Sequence, residues 1–437
     1  MNNLIFSFKE TCGLSSFDIA KESGSLDRVL DLVNEAARLN NYDSLFASIN
    51  APFDKKIIQK IKKLASKYKY VSCVIVIGIG GSNLGTVAVQ EAVLGKLYNS
   101  IESSKPKIFY ADNIDPDYLT NIITIIKKEA EKKNKVLVNC VTKSGTTAES
   151  ISNFSIILEV LKKNIKEYKD YVVITTDKGS KLWDTAEKEG YALLEVPKNI
   201  GGRYSVFTSV SLFPLAVLGI KIEKLLDGAR MMRDICIKND LFNNPASVSA
   251  LVIYLNSKRN RNICNTFLFS SDLESAGKWY RQLMAETIGK EKDINGKTVR
   301  NGITPTVCVG ATDLHSMAQL YLGGPDDKIT TFVSADNFKE KLKVASNKFS
   351  SIVDNIANKE LGFIMNAVIL GVERAYENKG IPFMRIRIKE KSEYFIGQLL
   401  QMKMLEVIYL AYLMNVNPFD QPNVEEYKAE TRKLLGS

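Results

Sequence analysis

Between about residues 70 and 390 the chain alternates short β-branched apolar runs with stretches of helical periodicity, and that rhythm restricts its fold more than any other feature. Runs at 71–77, 107–111, 135–141, 171–176 and 191–195 are separated by segments such as 117–132 and 148–163, long enough for helical crossovers. Strands joined by such crossovers run parallel, and near-continuous apolar runs imply that helices cover both faces of the sheet. A second set at 266–270, 306–310, 329–334 and 383–388 repeats the rhythm, and the segment 393–416 is apolar enough to be a buried helix. At 437 residues the chain also exceeds the size at which one core stops growing. The fold expected is α/β: two doubly wound units with mainly parallel sheets, at 66–205 and 206–416. A helical lead-in (1–65) and a C-terminal arm (417–437) flank them. No sequence repeat links the two units.

Composition narrows the class. With 45% hydrophobic and 25% charged residues, the chain is that of a globular protein. No apolar stretch reaches the ~20 residues needed to span a bilayer, and the N-terminus lacks the basic start and apolar core of a signal peptide. Six cysteines are scattered without CxxC spacing, and several adjoin apolar runs. Buried free thiols in a reducing, cytoplasmic setting are expected. The formal charge of +10 comes from basic residues interspersed with acids on helix faces. No basic stripe is interleaved with aromatics, so no nucleic-acid partner is expected, although a positive field favours a phosphorylated metabolite.

Three strand-to-helix loops carry chemistry. The first is Gly78-Ile79-Gly80-Gly81-Ser82-Asn83-Leu84-Gly85. Its glycines let backbone amides approach an anion at a helix N-terminus. Asn83 stands where a dinucleotide loop would have glycine or alanine, and no Gly-Lys-Ser/Thr follows. The second loop is Thr142-Lys143-Ser144-Gly145-Thr146-Thr147-Ala148-Glu149, with four hydroxyls and a lysine at a helix start. It reads as a phosphate cradle or as a plain Ser/Thr helix cap with Glu149 in the first turn. The third is Asn199-Ile200-Gly201-Gly202-Arg203-Tyr204-Ser205, where Arg203 is either a permanent cation for an oxyanion or a solvated turn residue. Finally, the chain has a single histidine, His315, in Asp313-Leu314-His315-Ser316-Met317. It is either a hydrogen-bonded structural histidine or an acid/base group. No cluster of ligands points to a metal.

Taken in order, IGIGGSNLG, TKSGTTAES, GGRYS, AETIGK, DLHSM and FDQPNVEEYK resemble the glucose-6-phosphate isomerases, most closely the shorter bacterial form. The resemblance covers about residue 70 to the C-terminus. It implies paired sugar-isomerase (SIS) domains, a sugar-phosphate substrate, no metal or cofactor, and a homodimer with active sites at the subunit boundary. It further implies that Gly81, Ser82, Thr142, Lys143, Ser144 and Thr147 hold the phosphate. Arg203 would lie near the enediolate and Gln421 would contact substrate. Glu286 would move the proton between C2 and C1, and His315 with Lys428 would open the ring, His315 reaching the neighbouring subunit's site.

The chemistry needs those residue types. A closed pyranose opens when one group takes the C1 hydroxyl proton and another donates to the ring oxygen. Proton transfer in the open chain needs a carboxylate in a partly dry pocket, and a fixed cation offsets the enediolate charge. Ala285 and Asn423 stand where the family commonly has glycine, Thr142 where serine is common, and 291–301 is longer than usual. Two other functions fit the strings: an isomerase that also acts on mannose 6-phosphate, and a non-catalytic SIS module that senses a sugar phosphate. The second would have no need of Glu286, His315 and Lys428 together.

Overall fold

The computed structural model of the protein describes residues 3–101 and 106–436. Its strands, in chain order, are β1 (Ile5–Ser7), β2 (Cys73–Ile77), β3 (Lys107–Ala111), β4 (Val136–Val141), β5 (Val172–Thr176), β6 (Ala192–Glu195), β7 (Ile263–Leu268), β8 (Lys290–Lys292), β9 (Thr298–Asn301), β10 (Thr304–Val309), β11 (Lys328–Ala335) and β12 (Phe383–Ile388). By contact density the chain forms two compact units, one of residues 33–230 and one of 1–32 with 231–437.

The 33–230 unit is built on a parallel sheet of order β3-β2-β4-β5-β6. All residues of β2, β4 and β5 are buried; β2 is an unbroken apolar run, and the polar Asn139 of β4 donates to Thr175 Oγ1 of β5 at 3.0 Å. Helices Pro116–Glu131 and Ala148–Asn164 cover one face through Leu119, Ile122, Ile126, Phe154, Ile157 and Leu161. Each fully buried Ile or Leu contributes about 1.5–3 kcal/mol of apolar transfer. The first of these helices begins where Asp115 accepts from the amides of Asp117 (2.9 Å) and Tyr118 (3.1 Å), with Pro116 in its opening turn. In this strand order the winding reverses between β2 and β4. Crevices at such reversals, beyond the carboxyl ends of the strands, are where open α/β sheets take ligands.

The other unit contains a sheet of order β1-β12-β11-β7-β10, parallel except for β1. From β7 the chain steps to β10, crosses back to β11 and continues to β12. This is the winding of the first sheet over again. The position of a fifth parallel strand is filled by β1, pairing antiparallel with β12 from Ile5↔Arg387 to Ser7↔Arg385. The core here is aromatic: Phe332 packs edge-on to Tyr376 at 5.1 Å between ring centroids, with Phe267 and Phe383 beside them. Helix Glu393–Leu413 is buried almost all round, with the Lys403–Glu406 pair (2.8 Å) inside it.

Three features add to the elements read from the sequence. The lead-in contributes β1 to the second sheet. The polar arm carries a helix, Val424–Leu434. The long 291–301 stretch, with Lys290, folds as the antiparallel pair β8–β9. All six cysteines are free and buried. Among the described residues, no helix is long and apolar enough to cross a membrane, and no group of three or more His, Cys, Asp or Glu side chains could hold a metal ion.

Candidate active site

In the 33–230 unit, the loops after β2, β4 and β6 hold the sequence-marked residues. Gly80 has φ +58°, and Gly81 packs directly on the third loop. A Cβ at Gly81 would lie 2.2 Å from the carbonyl carbon of Gly202 and 2.6 Å from the amide of Arg203. Only a residue without a side chain allows the two backbones to meet. Ser205 Oγ sits at the junction, its single proton within reach of the carbonyls of Gly202 (2.8 Å) and Gly81 (3.1 Å). Asn83, which departs from the dinucleotide pattern, is buried and donates to Asp112 Oδ2 at 3.0 Å, pinning the first loop to the end of β3.

The second loop leaves its helix start without the expected side-chain cap. Thr147 occupies the N-cap position of helix Ala148–Asn164, yet its side chain makes no capping bond; its hydroxyl pairs with that of the buried Thr142 at 2.9 Å. The helix Leu84–Leu94 behind the first loop likewise has no side-chain cap. Elsewhere in this unit, the helices beginning at Lys55, Pro116, Lys181 and Ser209 are each closed by an Asp, Ser or Thr side chain. The two uncapped helix starts flank the reversal between β2 and β4, where orphan N–H groups and both dipoles favour an anion. Ser144 is exposed beside them and accepts from the amide (3.3 Å) and hydroxyl (3.2 Å) of Thr146.

Two cations add to this field. Arg203 is only 3% exposed, with its guanidinium 5.2 Å from the ring centroid of Tyr204. Lys143 Nζ donates to the carbonyl of Lys198 at 2.7 Å, tying the second loop to the third. Burial pulls the Lys143 amine below its ordinary pKa, opposed by nearby Asp177 and reinforced by Arg203. Asp177 itself is raised to about 6, chiefly by burial, and its Oδ1 meets no hydrogen-bond partner among the described residues.

In the other unit, Glu286 is half-buried near the C-terminal end of helix Glu274–Ile288. Gln282, one turn earlier, donates from Nε2 to Glu286 Oε1 at 2.7 Å. Its own carbonyl oxygen is buried without a partner among the described residues. The sequence reading missed Gln282; its i,i+4 spacing from Glu286 was the available signal. Lys290 bridges from the carbonyl of Glu286 (2.9 Å) to Asp420, the residue before Gln421. Asn423, where glycine is common, donates to Glu291 at 3.0 Å. The exposed Gln421 and the half-buried Lys428, whose Nζ engages Glu425 at 2.7 Å, follow on the arm held by these contacts.

His315 lies elsewhere. It follows β10 in a turn fixed by Asp313, which accepts from the amide of Val309 (2.7 Å) and the hydroxyl of Ser316 (2.8 Å). The residue is exposed, and its ring makes no hydrogen bond among the described residues. Glu286 sits at the other end of the same sheet. Its helix runs back from the end of β7, and Gly289 just beyond it packs against Gly302, immediately before β10 begins. The two residues are thus separated by the length of β10, roughly 20 Å.

The sequence profile described as Phosphoglucose isomerase matches residues 53–435. A glucose-6-phosphate isomerase of Carboxydothermus hydrogenoformans is 34% identical over 395 residues, 87% of this chain and 82% of that protein. One of Methanocaldococcus jannaschii is 36% identical over 362 residues, 83% and 84% of the two chains. A crystal structure of a hypothetical protein from Thermus thermophilus superimposes with TM-score 0.87 at 27% identity, covering 99% of this chain and 100% of that one. A glucose-6-phosphate isomerase from Chlamydia trachomatis shares the fold, with TM-score 0.85 at 19% identity, over 100% of this chain and 89% of its own. With that profile spanning most of its length, this chain belongs to the phosphoglucose isomerase family.

Proposed function

We propose that this protein interconverts glucose 6-phosphate and fructose 6-phosphate, opening the sugar ring and passing a proton between C2 and C1 through an enediolate. The observation that carries the reading is the pair of uncapped helix starts at the sheet reversal, lined by Thr142, Ser144 and Thr147. That arrangement suits a dianionic phosphate, whose binding positions a remote reacting carbon. Gly81 and Ser82 supply the facing loop, and Lys143 acts from the loop's side. Arg203, buried and permanently charged, offsets the enediolate oxygen. Glu286 takes and returns the proton, held in one rotamer by Gln282. Gln421 contacts the sugar, and Lys428 with His315 opens the ring.

The separation of His315 from Glu286 on one sheet supports a homodimer in which His315 serves the partner's site. A cytoplasmic setting fits six free, buried thiols. A coupled assay supplying fructose 6-phosphate to purified protein and oxidising the glucose 6-phosphate formed tests the reading. Turnover inhibited by a phosphorylated sugar acid is expected; absence of turnover would overturn it.

A further inference from the structure

Lys290 is an unusual place for a positive charge. It opens β8, its side chain is 4% exposed, and desolvating an ammonium costs several kcal/mol before any partner is counted. Its Nζ meets three acceptors: the carbonyl oxygen of Glu286 at 2.9 Å, the carbonyl oxygen of Asp420, and Asp420 Oδ1 at 3.0 Å. An ammonium has three protons to donate, and these acceptors can take them.

The first acceptor alone would make Lys290 an ordinary helix-end cation, satisfying a last-turn carbonyl and complementing the dipole. The other two have no part in that. They belong to a segment 130 positions further along the chain. That segment leads directly into Gln421 and, after one turn of helix, Lys428. A second tie follows at the next residue of β8, where Glu291 accepts from Asn423 at 3.0 Å. Asp420 is in turn steadied by Asn417, which donates to its Oδ2 at 3.0 Å. The base-bearing helix and the C-terminal arm therefore meet at one ammonium. An apolar side chain of similar volume would fill the space without the desolvation cost, but it could not fix the arm to the helix.

We propose that Lys290 is a positioning residue that holds the arm in register with the base, so that Lys428 acts on the substrate whose proton Glu286 moves. This rests on the function proposed above. The route runs through the arm, which makes the inference testable against simple loss of stability. If Lys290 works by placing Lys428, removing Lys428 first should leave Lys290 little to do.

The experiment is a double-mutant cycle of Lys290→Met and Lys428→Ala, read as kcat and KM on glucose 6-phosphate. Lys290→Met alone should lower kcat by roughly 10- to 100-fold, the cost of misplacing a catalytic group by about 1 Å, with KM changing less. In the Lys428→Ala background it should lower kcat by less than about threefold, because residues that act as a unit are not additive. Hydrogen exchange should quicken in 418–434 while 274–284 keeps its protection. Equal losses in both backgrounds would overturn the proposal. If Lys290→Met does not fold, Asp420→Lys sets a like charge against Lys290 from a half-exposed position and should give the same non-additive pattern. Lys428→Ala or Glu286→Gln retaining full activity would instead sink the proposed function; both losing activity while Lys290 stays additive sinks this inference alone.

Discussion

At the residue scale, the side chains proposed to carry chemistry stand in short strings, and it is the order of those strings that carries the family resemblance. A single histidine, a Glu before Thr-Ile-Gly-Lys and an arginine after two glycines stand out in the text of the chain. What was illegible are residues whose roles depend on distant partners. Lys290 reads as a surface lysine until Asp420 is placed beside it, and Asp177 reads as a turn residue until its burial is seen. Asp177 yields a prediction with a definite sign. Its folded pKa of about 6 lies above the ordinary aspartate value, so the folded protein binds the proton more tightly than the unfolded chain. The stability it withholds is therefore lost progressively as pH rises from about 4 to 6, and the deficit is complete above that. Asp177→Asn should raise stability at pH 7 by about 1 kcal/mol once solvent screening is allowed for. It should also flatten the pH dependence of Tm between 4 and 6; thermal scans across that range check both. Gly81 makes a sharper case. Gly81→Ala drives a methyl into the backbone of Gly202 and Arg203, neither of which is a flexible side chain that can swing aside. A stability loss of about 1–3 kcal/mol from overpacking is expected. A fall in kcat of around 100-fold should accompany it as Arg203 is displaced, measurable by melting and by steady-state assay.

At the scale of elements, the longer strands of both sheets were legible to within two or three residues because each is a short run rich in β-branched and apolar residues bounded by loop residues. The short pieces were not. β1 has only three residues, fewer than any periodicity can reveal, and its place is set by β12, nearly 380 positions away. The helix starts carry the functional information. Ser/Thr clusters before a helix usually cap it, and sequence left cap and cradle open; the bond between Thr142 and Thr147 turns Thr147's hydroxyl away from the capping role. Replacing Ser144 and Thr147 together by Ala should therefore leave the helix intact and weaken binding of phosphorylated sugars. Two lost hydrogen bonds to a charged group set a ceiling of ~3–6 kcal/mol, less where water substitutes. Titration with a phosphorylated sugar acid, alongside circular dichroism, separates the two readings. Unchanged affinity with reduced helicity would make the loop a cap.

At the scale of the whole molecule, the two sheets share the same order over their first four parallel strands although no sequence repeat is visible between them. Topology is held by burial and handedness, which many sequences satisfy, so the likeness survives where residue identity does not. The distribution of chemistry differs. One unit offers helix N-termini at the carboxyl ends of its strands; the other places Glu286 at one end of its sheet and His315 at the opposite end. In the proposed homodimer, that layout predicts complementation. His315→Ala and Glu286→Gln chains, each inactive alone, should regain roughly a quarter of wild-type activity after subunit exchange, since half the dimers would be mixed and each would hold one intact site. Sedimentation of tagged chains establishes the exchange; an exchanged mixture that stays inactive would mean that His315 serves its own chain or none. The central claim, that Glu286 moves the C2 proton of a sugar phosphate, is tested most directly by incubating glucose 6-phosphate in heavy water and following the C2 hydrogen by proton NMR. The native protein should form fructose 6-phosphate and wash deuterium into C2, and Glu286→Gln should slow both by at least roughly 100-fold. Native-like exchange at C2 in Glu286→Gln would contradict the account.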